Sequence, residues 1–232
     1  MSLKYALHHI PKCAGSTIQM RMIQAEYNKE LPAGSTLIRY EAVGREWEYR
    51  LADDPDYNPD ESLHQDTLPR HRGKQQTGNH DVIIAMGHLI DHTWPGEHLT
   101  WIRNPLERDI SHFNYDLNLG RHTKSWSNWN GVTPPNWICM WLYTQYLKQP
   151  YTDDEQMFEA VTNCKLNIRT LENLEKDYAG MCANLNINVS KANDNSSMKK
   201  GKMISIDDMS YDDIENHKVE NYYDWKLYEL YK

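Results

Sequence analysis

The chain has 232 residues and sets 25 Lys and Arg against 33 Asp and Glu, a net charge of −8 that excludes a general binder of nucleic acid or polyanions. Any anion site must be a local basic pocket. Hydrophobic residues make up 39%, with eight Trp and fifteen Tyr against two Phe, enough for one sizeable core and a single globular domain over residues 1–232.

No apolar run is long enough to cross a bilayer, and the first residues enter a strand without a charged and apolar leader, so neither membrane insertion nor secretion is expected. Cys13, Cys139, Cys164 and Cys182 form no C-x-x-C pair, which points to reduced thiols and a cytoplasmic location.

Residues 3–10 read as a short apolar strand, and residues 17–27 as a helix with Ile18, Met22 and Ile23 at helical spacing. Between them runs His8-His9-Ile10-Pro11-Lys12-Cys13-Ala14-Gly15-Ser16-Thr17. Ala14 and Gly15 are small where a backbone must come close to a ligand, and Ser16 and Thr17 can cap the helix with their N–H groups outward. Bare amides and a helix N-terminus favour phosphate or sulfate, and Lys12 adds a full charge. Lys12 precedes Gly15, however, and no Gly-Lys-Ser/Thr follows, so this is not the nucleoside-triphosphate loop and a different phosphate donor is implied. Cys13 beside Lys12 is either an activated thiol or, preferably, a small residue filling space.

The segment resembles the sulfotransferases that use 3′-phosphoadenosine 5′-phosphosulfate (PAPS), particularly the carbohydrate-type branch, whose loop runs Pro-Lys-x-[Ala/Gly]-[Gly/Ser]-[Ser/Thr]-[Ser/Thr]; residues 11–17 fit each position. The resemblance implies that Lys12, Cys13, Ala14, Gly15, Ser16 and Thr17 hold the 5′-phosphosulfate, with Lys12 neutralising charge on the leaving phosphate.

Residues 35–40 follow as a second strand. Residues 53–80, rich in Asp, Pro, Asn, Gln, Gly and His, read as a long excursion outside the core, locally basic at Arg70, His71, Arg72 and Lys74. Val82-Ile83-Ile84-Ala85 in residues 81–86 is the pattern of a strand buried on both faces of a parallel sheet, and it ends in Gly87-His88. Ligands of open α/β sheets gather at the carboxyl ends of strands, and a histidine there suits the removal of an acceptor proton near neutral pH. His88 is the candidate base; the sulfotransferase resemblance includes a Gly-His pair at this point. Without the resemblance, a histidine bonding to backbone reads equally well. His88 and His92 are four apart, but Leu89 stands where a zinc protease needs Glu, so no metal is expected.

Residues 98–102 form a further buried strand, leading to Arg103-Asn104-Pro105, with Asn104 as cap and Pro105 as first residue of a helix over 105–117. Arg103 at the strand end and Ser111 two turns along could share one phosphate. Arg103, Asn104, Pro105, Arg108, Ser111 and Phe113 also match the sulfotransferase 3′-phosphate motif Arg-[Asp/Asn]-Pro-x-x-Arg-x-x-Ser-x-[Phe/Tyr], which implies that Arg103 and Ser111 hold the 3′-phosphate of PAPS. Arg108 reads equally as a ligand or as a solvated helix charge, with no acid three or four residues away.

Trp126 and Trp129 fall in a polar loop. Residues 134–149 read as a helix whose Trp137, Ile138, Trp141, Leu142, Tyr146 stripe is core, residues 152–162 as a helix capped by Thr152 or Asp153, residues 163–171 as a strand and residues 172–185 as a helix. Residues 186–205 are a polar loop bearing Asn188, Ser196, Ser197 and Lys200. Asp224-Trp225-Lys226-Leu227-Tyr228 resembles the family's closing Asp-x-x-Leu-Tyr helix, whose role is packing.

The expected fold is α/β, a P-loop-like parallel sheet flanked by helices on both faces. The implied reaction moves a sulfuryl group from PAPS to an acceptor hydroxyl, on a sugar or glycan by analogy, and releases adenosine 3′,5′-bisphosphate. A phosphoryl transferase or a non-catalytic nucleotide-binding module is the alternative.

Overall fold

A computed structural model describes residues 3–27, 30–33, 35–43, 46–48, 81–88, 90–121, 125–126, 134–187 and 203–232. The expected excursion at 53–80, most of the loop at 186–205 and Trp129 lie outside the described residues.

Six strands form one sheet: β1 (Tyr5–His8), β2 (Ser35–Val43), β3 (Glu46–Glu48), β4 (Asp81–Gly87), β5 (Glu97–Ile102) and β6 (Asn167–Thr170), in the order β3-β2-β4-β1-β5-β6. All neighbours pair in parallel except β3, which lies antiparallel on β2 at one edge and has no counterpart in the sequence reading. β1 is thus central, with β4 and β5 on either side, and the register Tyr5↔Ile84, Leu7↔Met86 and Leu7↔Leu99 aligns their carboxyl ends.

Side chains alternate across a strand, so every second residue serves one face. Tyr5, Leu7, Ile84, Met86, Leu99 and Trp101 pack on one side against α1 (Gly15–Tyr27) and α5 (Leu174–Leu185). Arg21 of α1 ties the two helices together through a two-pronged pair with Glu175 at 3.0 and 2.7 Å. Ile102 and Ile168, of opposite parity, pack with α3 (Trp137–Trp141), α4 (Asp154–Asn163) and α7 (Tyr222–Tyr231). The fold is α/β with helices on both faces of a mainly parallel sheet. Each fully buried aliphatic side chain in these layers contributes about 1.5–3 kcal/mol.

The helix boundaries have local causes. α1 starts at Gly15, two residues before the expected start, because the carbonyl of Ala14 already accepts the N–H of Ile18 at 3.2 Å. α2 (Pro105–Asn118) begins as expected: the side-chain oxygen of Asn104 accepts the N–H groups of Leu106 and Glu107, and Pro105 needs no partner for the amide it lacks. For α4 the cap is Asp153, which accepts from Gln156 N–H at 2.9 Å. The helix expected over 134–149 is instead short α3 followed by a π-helical turn, Leu142–Tyr146. Trp137 and Trp141 in this stretch are only partly buried, so the aromatic stripe is not all core.

The late start of α3 is imposed by α7. The two carboxylate oxygens of buried Asp224 accept the N–H groups of Ile138 and Cys139 at 2.8 Å each, satisfying donors that the helix leaves open. Burial pushes the Asp224 carboxyl up to about 6, against the pull of those two amides and of Arg108. The Asn136 side chain reciprocates by accepting Tyr223 N–H at 2.9 Å. The closing helix does serve packing, and a further helix, α6 (Tyr211–Glu220), precedes it behind a Ser210/Asp213 capping box.

Candidate functional site

Three strand ends meet at one edge of the sheet. β1 ends at His8 and runs into the 9–14 loop, β4 ends at Gly87 and delivers His88, and β5 ends at Ile102 and delivers Arg103. Thr100 Oγ1 donates to the carbonyl of His8 at 2.7 Å, locking β1 to β5 where the loop begins.

The loop turns tightly. Cys13 N–H donates to Ile10 O at 3.2 Å, while Lys12 (φ 66°) and Ala14 (φ 57°) both adopt the left-handed conformation. That costs a non-glycine residue about 1–2 kcal/mol, and alternation of hand along a loop turns successive amides toward one side, as anion-binding nests do. Gly15, Ser16 and Thr17 follow in the first turn of α1, where amides precede any intrahelical acceptor. Beneath the loop a narrow crevice is lined by Leu7, His9, Gly15, Gln19, Met86 and Trp101. Its walls are mainly apolar, so a phosphate would sit on the amide side of the loop.

Cys13, expected among the donor-binding residues, contributes shape. Its side chain is buried with Ile10 and Ile102, burial pushes the thiol up to about 12, and its own N–H is used in the turn. The activated-thiol alternative therefore falls. The buried Cys13 side chain instead packs with Ile102, which brings the loop against the end of β5.

Lys12 reaches α2. Its Nζ lies 3.1 Å from the centre of the Tyr115 ring, a cation–π contact, and burial lowers its pKa to about 8, against the attraction of Asp116 and with the help of Arg108 and Arg121. Arg103 is partly exposed, and its Nε donates to Glu107 at 3.0 Å, one helical turn along. Ser111 lies partly exposed on the same helix. Arg108 is not a solvated charge: it is 2% exposed, pairs with Asp109 and covers the Trp137 ring at 3.8 Å. The sequence reading missed Asp109 because adjacent helical residues do not ordinarily face one another.

His88 is held on several sides. Its Nδ1–H donates to the carbonyl of His9 at 2.7 Å; a carbonyl can only accept, so in the neutral ring Nε2 is the unprotonated nitrogen. The His9 ring stacks on it at 4.1 Å and 19°, and Trp141 meets it edge-on at 5.7 Å. The sequence reading missed both neighbours. It also missed a set of imidazole–carbonyl bonds that fasten the chain after β4: His8 Nδ1–H to Ile90 O at 2.8 Å, His92 Nδ1–H to Tyr146 O at 3.0 Å and His98 Nε2–H to Trp94 O at 2.7 Å. His8 Nε2 in turn accepts from Trp141 Nε1–H at 3.1 Å, and burial lowers the His8 pKa to about 3, leaving it a neutral structural link. The available signal was the clustering itself: His8 closes β1 and His9 follows it, His88 and His92 follow β4, and His98 lies at the start of β5.

Among the described residues, no group of three or more His, Cys, Asp or Glu side chains is placed to hold a metal ion. No helix among them is long and apolar enough to cross a membrane. Compared with family models, curated proteins and solved structures, the chain matches none of them.

Proposed function

We propose that the chain is a sulfotransferase that moves a sulfuryl group from PAPS to an acceptor hydroxyl, with a P-loop-like sheet carrying the site. The observation that carries this reading is the convergence, at one carboxyl edge, of the 9–14 loop, His88 and Arg103 from three adjacent parallel strands. An anion loop alone would serve many ligands. An anion loop with a histidine base on one side and a capped, arginine-bearing helix start on the other serves group transfer from a doubly phosphorylated nucleotide.

In this scheme the amides at the start of α1 and the Lys12 ammonium hold the 5′-phosphosulfate, and Arg103 with Ser111 holds the 3′-phosphate. The acceptor oxygen attacks sulfur in line with the phosphate oxygen that leaves. As the new O–S bond forms, the acceptor proton passes to His88 Nε2, and the bond from sulfur to the 5′-phosphate breaks to release adenosine 3′,5′-bisphosphate. Lys12 neutralises charge that grows on the leaving phosphate. Trp141, partly buried with its ring centre 5.7 Å from that of His88, puts aromatic surface beside the base, which favours a carbohydrate acceptor.

Calorimetric titration with adenosine 3′,5′-bisphosphate, AMP and magnesium-ATP tests the donor site. Binding that depends on the 3′-phosphate supports the reading and leads to acceptor screening with PAPS. A preference for magnesium-ATP would replace it with phosphoryl transfer.

A further inference from the structure

Gly15 sits where the sequence calls for close approach of a ligand, but the space beside its Cα belongs to His9. A Cβ on Gly15 would lie 1.8 Å from His9 Cδ2, 2.3 Å from Cγ and 2.4 Å from Nε2, contacts that no side chain tolerates without the ring moving. The His9 ring is also engaged by the stacked ring of His88, 4.1 Å away and nearly parallel. The backbone carbonyl of the same residue holds His88 Nδ1–H. His88 is closed from a further direction by Trp141, itself pinned through its Nε1–H to His8, whose other nitrogen is pinned to Ile90 O.

We propose that His9 is the positioning residue of the base: its ring, seated on the bare Cα of Gly15, and its carbonyl together hold His88 as the Nδ1–H tautomer with Nε2 presented for proton transfer. The assignment rests on the reading of His88 as the base. It gives Gly15 a reason other than the ligand. Glycine is required there because an imidazole occupies the volume of its missing side chain, so the first residue of α1 is matched to the base through one intervening ring. A flat ring and a fixed carbonyl suffice for this task; the ring nitrogens of His9 take no part in moving the proton.

Four variants separate these statements: Gly15→Ala, His9→Ala, the double variant and His9→Phe. Urea denaturation reads the fit, and long-range proton–nitrogen NMR of the imidazoles reads the His88 tautomer; neither needs turnover or bound nucleotide. Gly15→Ala is expected to lower the unfolding midpoint and to populate the Nε2–H form of His88. Adding His9→Ala is expected to recover the midpoint, because the clash goes with the ring. His9→Phe is expected to retain the wild-type tautomer, whereas His9→Ala mixes the two forms. In sulfuryl transfer, His9→Ala is expected to lower kcat at least tenfold with the KM for PAPS little changed, and His9→Phe to restore most of the rate. Failure of the double variant to recover the Gly15→Ala midpoint would overturn the matched pair. A His88 ring that carries its proton on Nε2 in the wild type, or a His9→Phe protein as impaired as His9→Ala, would overturn the positioning role. If the NMR and denaturation results hold but no nucleotide binds, the pair stands and the sulfotransferase reading falls.

Discussion

Lys12 provides a pH test of the proposed donor site. Its ammonium lies over the Tyr115 ring in a half-buried position where desolvation lowers its pKa to about 8, with Asp116 opposing and Arg108 and Arg121 adding to the fall. The free protein therefore holds Lys12 about nine-tenths charged at pH 7 and about one-tenth charged at pH 9. A dianionic phosphate that binds only the charged form restores the proton on binding, so affinity for adenosine 3′,5′-bisphosphate should fall about tenfold between these pH values, or about 1.4 kcal/mol. The ligand does not confound the measurement, because phosphate monoesters lose their second proton near pH 6. Calorimetry at pH 7, 8 and 9 should show the fall together with proton uptake from the buffer. Lys12→Arg keeps a charge across this range and should give a flat profile. A wild-type affinity that does not change from pH 7 to 9, or a Lys12→Arg profile as steep as the wild type's, would remove Lys12 from the anion site.

Arg103→Ala should weaken adenosine 3′,5′-bisphosphate by about 1.5–3 kcal/mol, the range of a charge-assisted hydrogen bond, and leave AMP nearly unchanged; equal losses for both ligands would take Arg103 away from the 3′-phosphate. Its present pair with Glu107 is partly exposed and costs little to release, about 0.3–0.5 kcal/mol. Acid stability has two opposed contributions. Unfolded His8 gains a proton below its ordinary 6.5 while the folded residue waits until about 3, so acidification from pH 7 to 5 lowers stability by about 2 kcal/mol. Asp224 binds its proton at about 6 when folded against 3.8 unfolded, so the same step raises stability by about 1 kcal/mol. Asp224→Asn removes only the second contribution, and urea denaturation should show a steeper acid loss than in the wild type; parallel pH profiles would refute the Asp224 assignment.

The parts of the site legible in the sequence are those that a short stretch decides by itself. Asn104-Pro105 announces a helix start, Val82-Ile83-Ile84-Ala85 a buried strand, and both stand where the spacing puts them. Arg108 was not legible, because its solvation is decided by Trp137 from another helix and by an adjacent acid that helical geometry normally turns away. The same holds for α3: its start depends on Asp224, 86 residues from Ile138, and no periodicity within 134–149 records that. The β3 edge strand is three residues long, too short to show an alternating pattern.

His88 shows where local and long-range information divide. Its position after a buried strand follows from β4 alone, but the position fixes neither a tautomer nor a ring orientation, and a general base needs both. These come from the central strand: the carbonyl and ring of His9, and the Trp141 anchor on His8, both reached because β1 pairs with β4 in the register His8↔Gly87. A one-residue slip of that register would turn His8 and His9 each to the opposite face and separate His88 from the His9 carbonyl. On the proposed reading of His88 as the base, the parallel pairing of β1 and β4 is therefore the step that sets its ring beside the 9–14 loop.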